Sequence, residues 1–197
     1  MIQINIKKRD AYFFGALLIF LVAVGFAFAW GSGNPAVHGH DASEIQGGAI
    51  DYIKVSDQVA SGVSPQANQN GAWTTKRINT INHDDGGHAS IASDRITLAP
   101  GTYIASISSP VSVNCLRHKA RLRNIDDGVT VLVGTSEAQH DDYSRETDKS
   151  FISGQFTIAT PNTFEIQHYK AAGSGWGTPS SFGEVEVYTV AEFWKIA

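Results

Sequence analysis

The chain has a single cysteine, Cys115, among its 197 residues. That excludes an intrachain disulfide and any multi-cysteine zinc or iron–sulfur site. Charge is scarce: Asp, Glu, Lys and Arg make up 17%, with a formal net charge of −4. So small and acidic a balance argues against bulk nucleic-acid binding and predicts no nucleic-acid partner. Methionine occurs once, and there is no heptad run, internal repeat or Gly-x-y tract. Enzyme signatures are missing as well. No GxSxG, HExxH, GxGxxG or phosphate loop occurs, so the expectation is a protein that is not an enzyme. A carbohydrate-active enzyme stays as an alternative on the separated carboxylates Glu137 and Asp142, whose distance the sequence does not give.

One long apolar run is present. Residues 11–30, AYFFGALLIFLVAVGFAFAW, carry no charge and follow the basic cluster Lys7-Lys8-Arg9. Twenty residues at 1.5 Å rise span about 30 Å, the thickness of a hydrocarbon core. Basic residues before the run predict a cytoplasmic N-terminus and export of the remainder. Residues 1–30 therefore read as a transmembrane signal anchor or as a cleaved signal peptide. The run length favours the anchor, and the small-x-small pattern Ala27-Phe28-Ala29 favours cleavage. Cleavage removes Lys7, Lys8, Arg9 and Asp10, a net +2, and takes the formal charge from −4 to −6. The expected location is extracellular or cell-surface, with a membrane contact through residues 11–30 if they are retained.

Residues 31–72 read as a linker or stalk, rich in small and polar residues, with a possible strand over residues 52–59. From Trp73 the pattern changes. Short alternating runs are broken by turn sequences such as Pro100-Gly101, Asp126-Asp127-Gly128 and Pro161-Asn162. Tyr103, Ala105 and Ile107 share one face; so do Phe164, Ile166 and His168. Val185, Val187 and Thr189 alternate with Glu184, Glu186 and Tyr188. Period-2 alternation with β-branched and aromatic residues predicts an all-β antiparallel two-sheet sandwich over residues 73–197. About eight to ten strands in that length fit a jelly roll. The last strand carries Val190, Phe193, Trp194 and Ile196 on both faces. That points to an internal strand, with or without a subunit interface. Cys115 lies in an alternating apolar stretch and reads as a buried structural thiol.

Several segments carry a resemblance. The succession Trp73…Arg77-Ile78-Asn79 and residues 97–103 (TLAPGTY) are similar to the opening of C1q/TNF-like jelly rolls. Residues 118–124 (HKARLRN), 134–137 (GTSE), 150–156 (SFISGQF), 164–168 (FEIQH) and 182–188 (FGEVEVY) resemble versions of that domain in bacterial and phage fibre-type proteins. Residues 38–45 (HGHDASEI) look like the stretch that often precedes such heads. The resemblance implies a homotrimer of jelly rolls on a stalk, an adhesin-like or fibre-tip-like head that binds a surface ligand. That ligand would be an extracellular glycan or a surface protein. The alternative is a structural subunit of an extracellular filament or pilus-like assembly. An export segment departs from a phage fibre and favours a secreted or cell-surface protein.

Three candidate sites stand out. Arg117, Lys119, Arg121 and Arg123 alternate with His118, Ala120 and Leu122, so on a strand four cations share one face. They bind an acidic polymer, or they are a solvated face neutralised by Asp126, Asp127 and Glu165. Tyr169 and Trp176 are candidate aromatic contacts for a ligand, with packing over a sheet end as the other reading. The turn residues His83, Asp84, Asp85 and His88 form a weak metal candidate, calcium for the carboxylates or zinc for the imidazoles, in a spacing that a plain hairpin explains equally well. No cofactor is expected otherwise. Residues 139–143 (QHDDY) read as a polar loop of the same kind.

Overall fold

The computed structural model describes residues 50–66, 69–112, 115–138, 148–173 and 175–196. The expected N-terminal segment (1–30), residues 31–49 and 67–68 of the stalk and the 139–143 loop lie outside them. Among the described residues no helix is long and apolar enough to cross a membrane. Among the described residues eleven strands run in chain order: β1 Asp51–Val59, β2 Trp73–Thr75, β3 Thr80–Asp84, β4 Ala89–Ala92, β5 Arg95–Leu98 and β6 Gly101–Val111. They continue with β7 Arg117–Asn124, β8 Val129–Ala138, β9 Asp148–Ile158, β10 Asn162–Lys170 and β11 Glu186–Lys195. All pairings are antiparallel. One sheet has the order β3-β1-β11-β6-β9; the other has β4-β5-β10-β7-β8, with β2 also on β10. This is the expected two-sheet antiparallel sandwich.

The sandwich starts earlier than the Trp73 boundary drawn from sequence. β1 lies between β3 and β11, and its Ile53 and Val55 are fully buried. The strand foreseen near residue 52 is thus an inner strand of the first sheet and not part of a stalk. β11 lies between β1 and β6, as its two-sided apolar content requires.

Local chemistry sets the turns. Ser93 and Asp94 link β4 to β5 with positive φ of 51° and 64°, the left-handed pair of a two-residue hairpin. In the β7–β8 turn, Asn124 Oδ1 accepts from the N–H groups of Asp126 and Asp127, and Gly128 takes φ 68°.

Alternation fills the interior. Tyr103, Ala105 and Ile107 of β6, with Ala191 and Phe193 of β11 beside them in the same sheet, face Ala120 and Leu122 of β7 and Phe164 and Ile166 of β10 in one apolar cluster. Phe156 is its centre: it stacks on Tyr103 at 5.5 Å, tilts against Phe164 at 5.4 Å and meets Phe193 edge-on at 6.4 Å. A second, separate cluster of Val111, Cys115 and Trp176 lies apart from it. Between these two clusters the interior is polar, with Ser109, His118, His168, Lys76 and Lys170 all buried.

At the start of β11 the inner face is the polar one. Glu186 and Tyr188 of β11 point inward, while Val185 and Val187 face solvent, Val187 at 47% exposure. The Glu186 carboxylate accepts N–H bonds from Gly62, Ser180 and Ser181, and Tyr188 donates its hydroxyl to the Val63 carbonyl. Satisfying these backbone groups at the sandwich end outweighs the transfer of two valines.

Candidate functional site

β7 is held in the second sheet by β10 on one side and β8 on the other. His118, Ala120, Leu122 and Asn124 are buried, so Arg117, Lys119, Arg121 and Arg123 all point outward, as their spacing predicts. The acids that could neutralise this row are engaged elsewhere. Asp126 Oδ2 accepts the Thr163 N–H at 2.7 Å, and Asp127 Oδ2 accepts Asn124 Nδ2 at 2.7 Å. Glu165 accepts from Arg95 Nε at 2.9 Å, from the Thr75 hydroxyl at 2.9 Å and from Gln167 Nε2 at 2.6 Å. Among the described residues, none of the four cations lies within 4.0 Å of a carboxylate.

Aromatic and amide groups hold the row in place. The Arg121 guanidinium lies 4.0 Å over the Trp73 ring, and its Nε donates to Gln167 Oε1 at 2.9 Å. Trp73 meets Tyr169 edge-on at 5.8 Å. Beside them a groove of about 460 Å³ is lined by Arg117, His118, Lys119, Ser136, Glu137, Ala138, Tyr169 and Ala171. The structure thus brings Tyr169 together with Arg117 and Lys119. Trp73, Gln167 and Ser136 were not singled out in the sequence as site residues, and Glu137 only as one of two separated carboxylates. Two registers gather them: β10 sets Tyr169 opposite both Lys119 and Trp73, and β8 sets Ser136 opposite Lys119 and Glu137 opposite His118.

Solved structures with this arrangement of strands identify the fold. Murine APRIL at pH 8.0 superposes with a TM-score of 0.53 at 11% identity, over 75% of this chain and 99% of that one. APRIL at pH 8.5 gives 0.52 at 10%, over the same shares. The fold is a jelly roll of the TNF type. The globular domain of zebrafish complement 1qA is also similar, with a TM-score of 0.48 at 14% identity, over 75% and 98% of the two chains. No protein-family model matches the chain, and no curated protein matches it in sequence. Identity this low carries the fold and says nothing of ligands.

In this TNF-type sandwich Trp176 is not a surface contact. It is fully buried, with Lys76 Nζ 4.2 Å and Lys170 Nζ 4.3 Å from its ring centroid and the His168 ring at 5.3 Å. The Gly-rich loop folds inward here because the indole closes over polar groups that β10 and the segment after β2 leave in the interior. Lys170 Nζ donates to the Gly175 carbonyl at 2.7 Å. Burial pushes the Lys76 amine well below the ordinary lysine range, and the Cys115 thiol upward.

The turn candidate does not converge on a metal. Asp84 accepts the N–H groups of His88 and Ala89, at 2.9 and 3.0 Å. Asp85 accepts the Tyr52 N–H at 3.2 Å and pairs with His83 Nε2 at 2.8 Å. His88 Nε2 pairs with Asp51 at 2.8 Å. These bonds fix the turn that carries the chain from β3 in the first sheet to β4 in the second. Among the described residues no group of three or more His, Cys, Asp or Glu side chains could hold a metal ion.

Two histidines escaped the sequence reading as a pair. His118 Nδ1 lies 3.1 Å from His168 Nε2, both inside the sandwich. The signal was their place on otherwise apolar faces of two strands. Burial, reinforced by Lys76, His118 and Lys170, holds the His168 ring down at about 2. Burial also lowers His118, against the upward pull of its Asp148 hydrogen bond. The Ser109 hydroxyl reaches His168 Nδ1 at 2.8 Å but is itself fully buried, out of reach of any substrate.

Proposed function

We propose that the chain is an exported binding head, adhesin-like or fibre-tip-like, that trimerises and takes an anionic surface glycan along β7 and the groove beside it. One observation carries the reading: four cations on one strand, none within 4.0 Å of a carboxylate among the described residues, beside a groove walled by Tyr169. Like charges at that spacing repel, and an acidic polymer relieves the repulsion. Tyr169 offers an aromatic face for a sugar ring. Self-association is assigned to the outer face of the first sheet. There Tyr52, Ile104 and Trp194 lie in register across β1, β6 and β11, and exposed Phe151 adds to them from β9. Three copies would multiply the affinity of one basic row.

The test is binding of the purified exported part to immobilised heparin and polygalacturonate, with dextran as the neutral control. Binding to the anionic polymers that falls at least tenfold in an Arg117→Gln/Lys119→Gln double variant supports the reading. Equal retention by dextran, or an unaffected double variant, overturns it. Sedimentation separates a closed trimer from the open series of oligomers that a filament subunit would give.

A further inference from the structure

Ser109, His168, His118 and Asp148, from β6, β10, β7 and β9, form one hydrogen-bonded chain through the polar part of the interior. The Ser109 hydroxyl is 2.8 Å from His168 Nδ1, His168 Nε2 is 3.1 Å from His118 Nδ1, and His118 Nε2 is 3.3 Å from Asp148 Oδ2. The first three side chains are buried, and the Asp148 carboxylate is 36% exposed.

Valence gives the chain a direction. A neutral imidazole has one N–H and one bare nitrogen. An ionised Asp148 only accepts, so His118 carries its proton on Nε2. Its bare Nδ1 must then accept, so His168 carries its proton on Nε2. The bare Nδ1 of His168 accepts from the Ser109 hydroxyl. With both rings neutral, all three bonds run from the core to the surface carboxylate, and the opposite tautomers would set a bare nitrogen against that carboxylate.

An added proton is compensated unequally along the chain. His118 faces Asp148 and Glu137 as well as His168 and the Lys170 amine. His168 faces only His118, Lys76 and Lys170, with no carboxylate among them, and the Trp176 ring packs on it. Asp57, which acts on Lys76, is bound to Arg77 Nε at 2.6 Å. A charged imidazole would therefore join two buried amines around one indole. That indole belongs to its own small cluster with Val111 and Cys115, apart from the main apolar core, so it can leave while the core stays packed.

We propose that this chain is an acid-operated latch: with both rings neutral it holds Trp176 in the sandwich, and protonation releases the Trp176 loop and opens that end of the interior. Opening returns both imidazoles to water, where they take up protons near pH ~6.5, so each pH unit below that favours the open form by up to about tenfold per ring. The loop carries Ala171, a wall of the groove, whose N–H is bonded to the Arg117 carbonyl at 2.9 Å. Regulation of ligand binding by this latch rests on the groove reading; the opening itself is readable without ligand.

The single cysteine is the probe. Cys115 is buried beside Trp176, and a dithiodipyridine reagent that works in mild acid reports its exposure. Labelling of the full chain should accelerate at least tenfold between pH 7.5 and 5 while far-UV circular dichroism is unchanged. His118→Gln and His168→Gln should flatten that dependence. Nitrogen NMR at pH 7.5 should find both rings as the Nε2–H tautomer. Constant labelling from pH 7.5 to 4.5, loss of the circular dichroism signal in step with labelling, or an Nδ1–H tautomer at either ring overturns the latch. So does an unaltered pH dependence in folded Gln variants. If a variant does not fold, tautomers and labelling of the unmutated chain decide alone. A working latch with no glycan binding refutes the groove reading and leaves the latch standing.

Discussion

Truncating Trp176 to alanine tests the largest correction that the structure makes to the sequence. The indole is fully buried. An aromatic side chain of this size hides about 150–250 Å², and at about 25 cal/mol per Å² its transfer is worth roughly 4–6 kcal/mol as an upper bound. Trp→Ala truncations in cores cost about 3–5 kcal/mol. The Lys76 amine adds little, because burial drives it toward its neutral form and cation–π attraction needs the charge. Trp176→Ala should therefore lose about 3–5 kcal/mol. With a urea slope of about 2 kcal/mol/M, the midpoint should fall by roughly 2 M. Trp176→Phe keeps a ring in place and should lose less than half as much. The assay is urea unfolding at pH 7.5 followed by circular dichroism, run beside heparin binding at a temperature where the variant is folded. Stability within about 1 kcal/mol of the parent together with lost binding would return the indole to the surface and refute the reasoning.

Two further substitutions probe other parts of the fold. A Cβ at Gly134 would lie 2.8 Å from Ser150 Oγ, 2.9 Å from Ile152 Cγ1 and 3.0 Å from the Ala120 carbonyl oxygen, so Gly134→Ala should cost about 1–3 kcal/mol; an unchanged thermal midpoint would show that β8 can move away from β9. Backbone N–H bonds from Gly62, Ser180 and Ser181 hold the Glu186 carboxyl at about 2, below its ordinary value. A depressed carboxylate contributes stability above its unfolded pKa and loses it as pH falls toward the folded one. The midpoint gap between the parent and Glu186→Gln should thus be full at pH 7, shrink between about pH 4.5 and 2, and vanish below; a gap independent of pH would show that the charge is not what ties these loops.

What was legible in the sequence was what a strand encodes locally. Residues 103, 105 and 107 went inside because alternate side chains share a face, whatever lies opposite. The same rule put Arg117, Lys119, Arg121 and Arg123 on one face. Their surroundings were not legible. Asp126, Asp127 and Glu165 are close to the row in sequence or register, yet backbone N–H groups, Asn124 and Arg95 claim them first. Trp176 misled because a Gly-rich loop with one aromatic reads as exposed, and its burial is decided by Lys76, about a hundred positions away in the chain. In β11 the alternation was legible but not which face turns inward: hydropathy alone favours the valines, whereas three backbone donors at the sandwich end take the Glu186 carboxylate.

The two outer faces and the interior then divide the work by chemistry. The outer face of the first sheet carries Tyr52, Ile104 and Trp194 in register, with Glu192 tied to the Tyr52 hydroxyl at 2.6 Å. Such a face loses little by being covered and gains apolar burial. The outer face of the second sheet is the opposite case. Covering its four cations with another protein copy would bury charge without partners, which is strongly unfavourable. Self-association through the first sheet leaves the basic row and its groove open, whereas association through the second would destroy the only strongly charged strand face among the described residues. Under the proposed reading, charge placement thus assigns the first sheet's outer face to a copy of the chain and the cationic face to an anion.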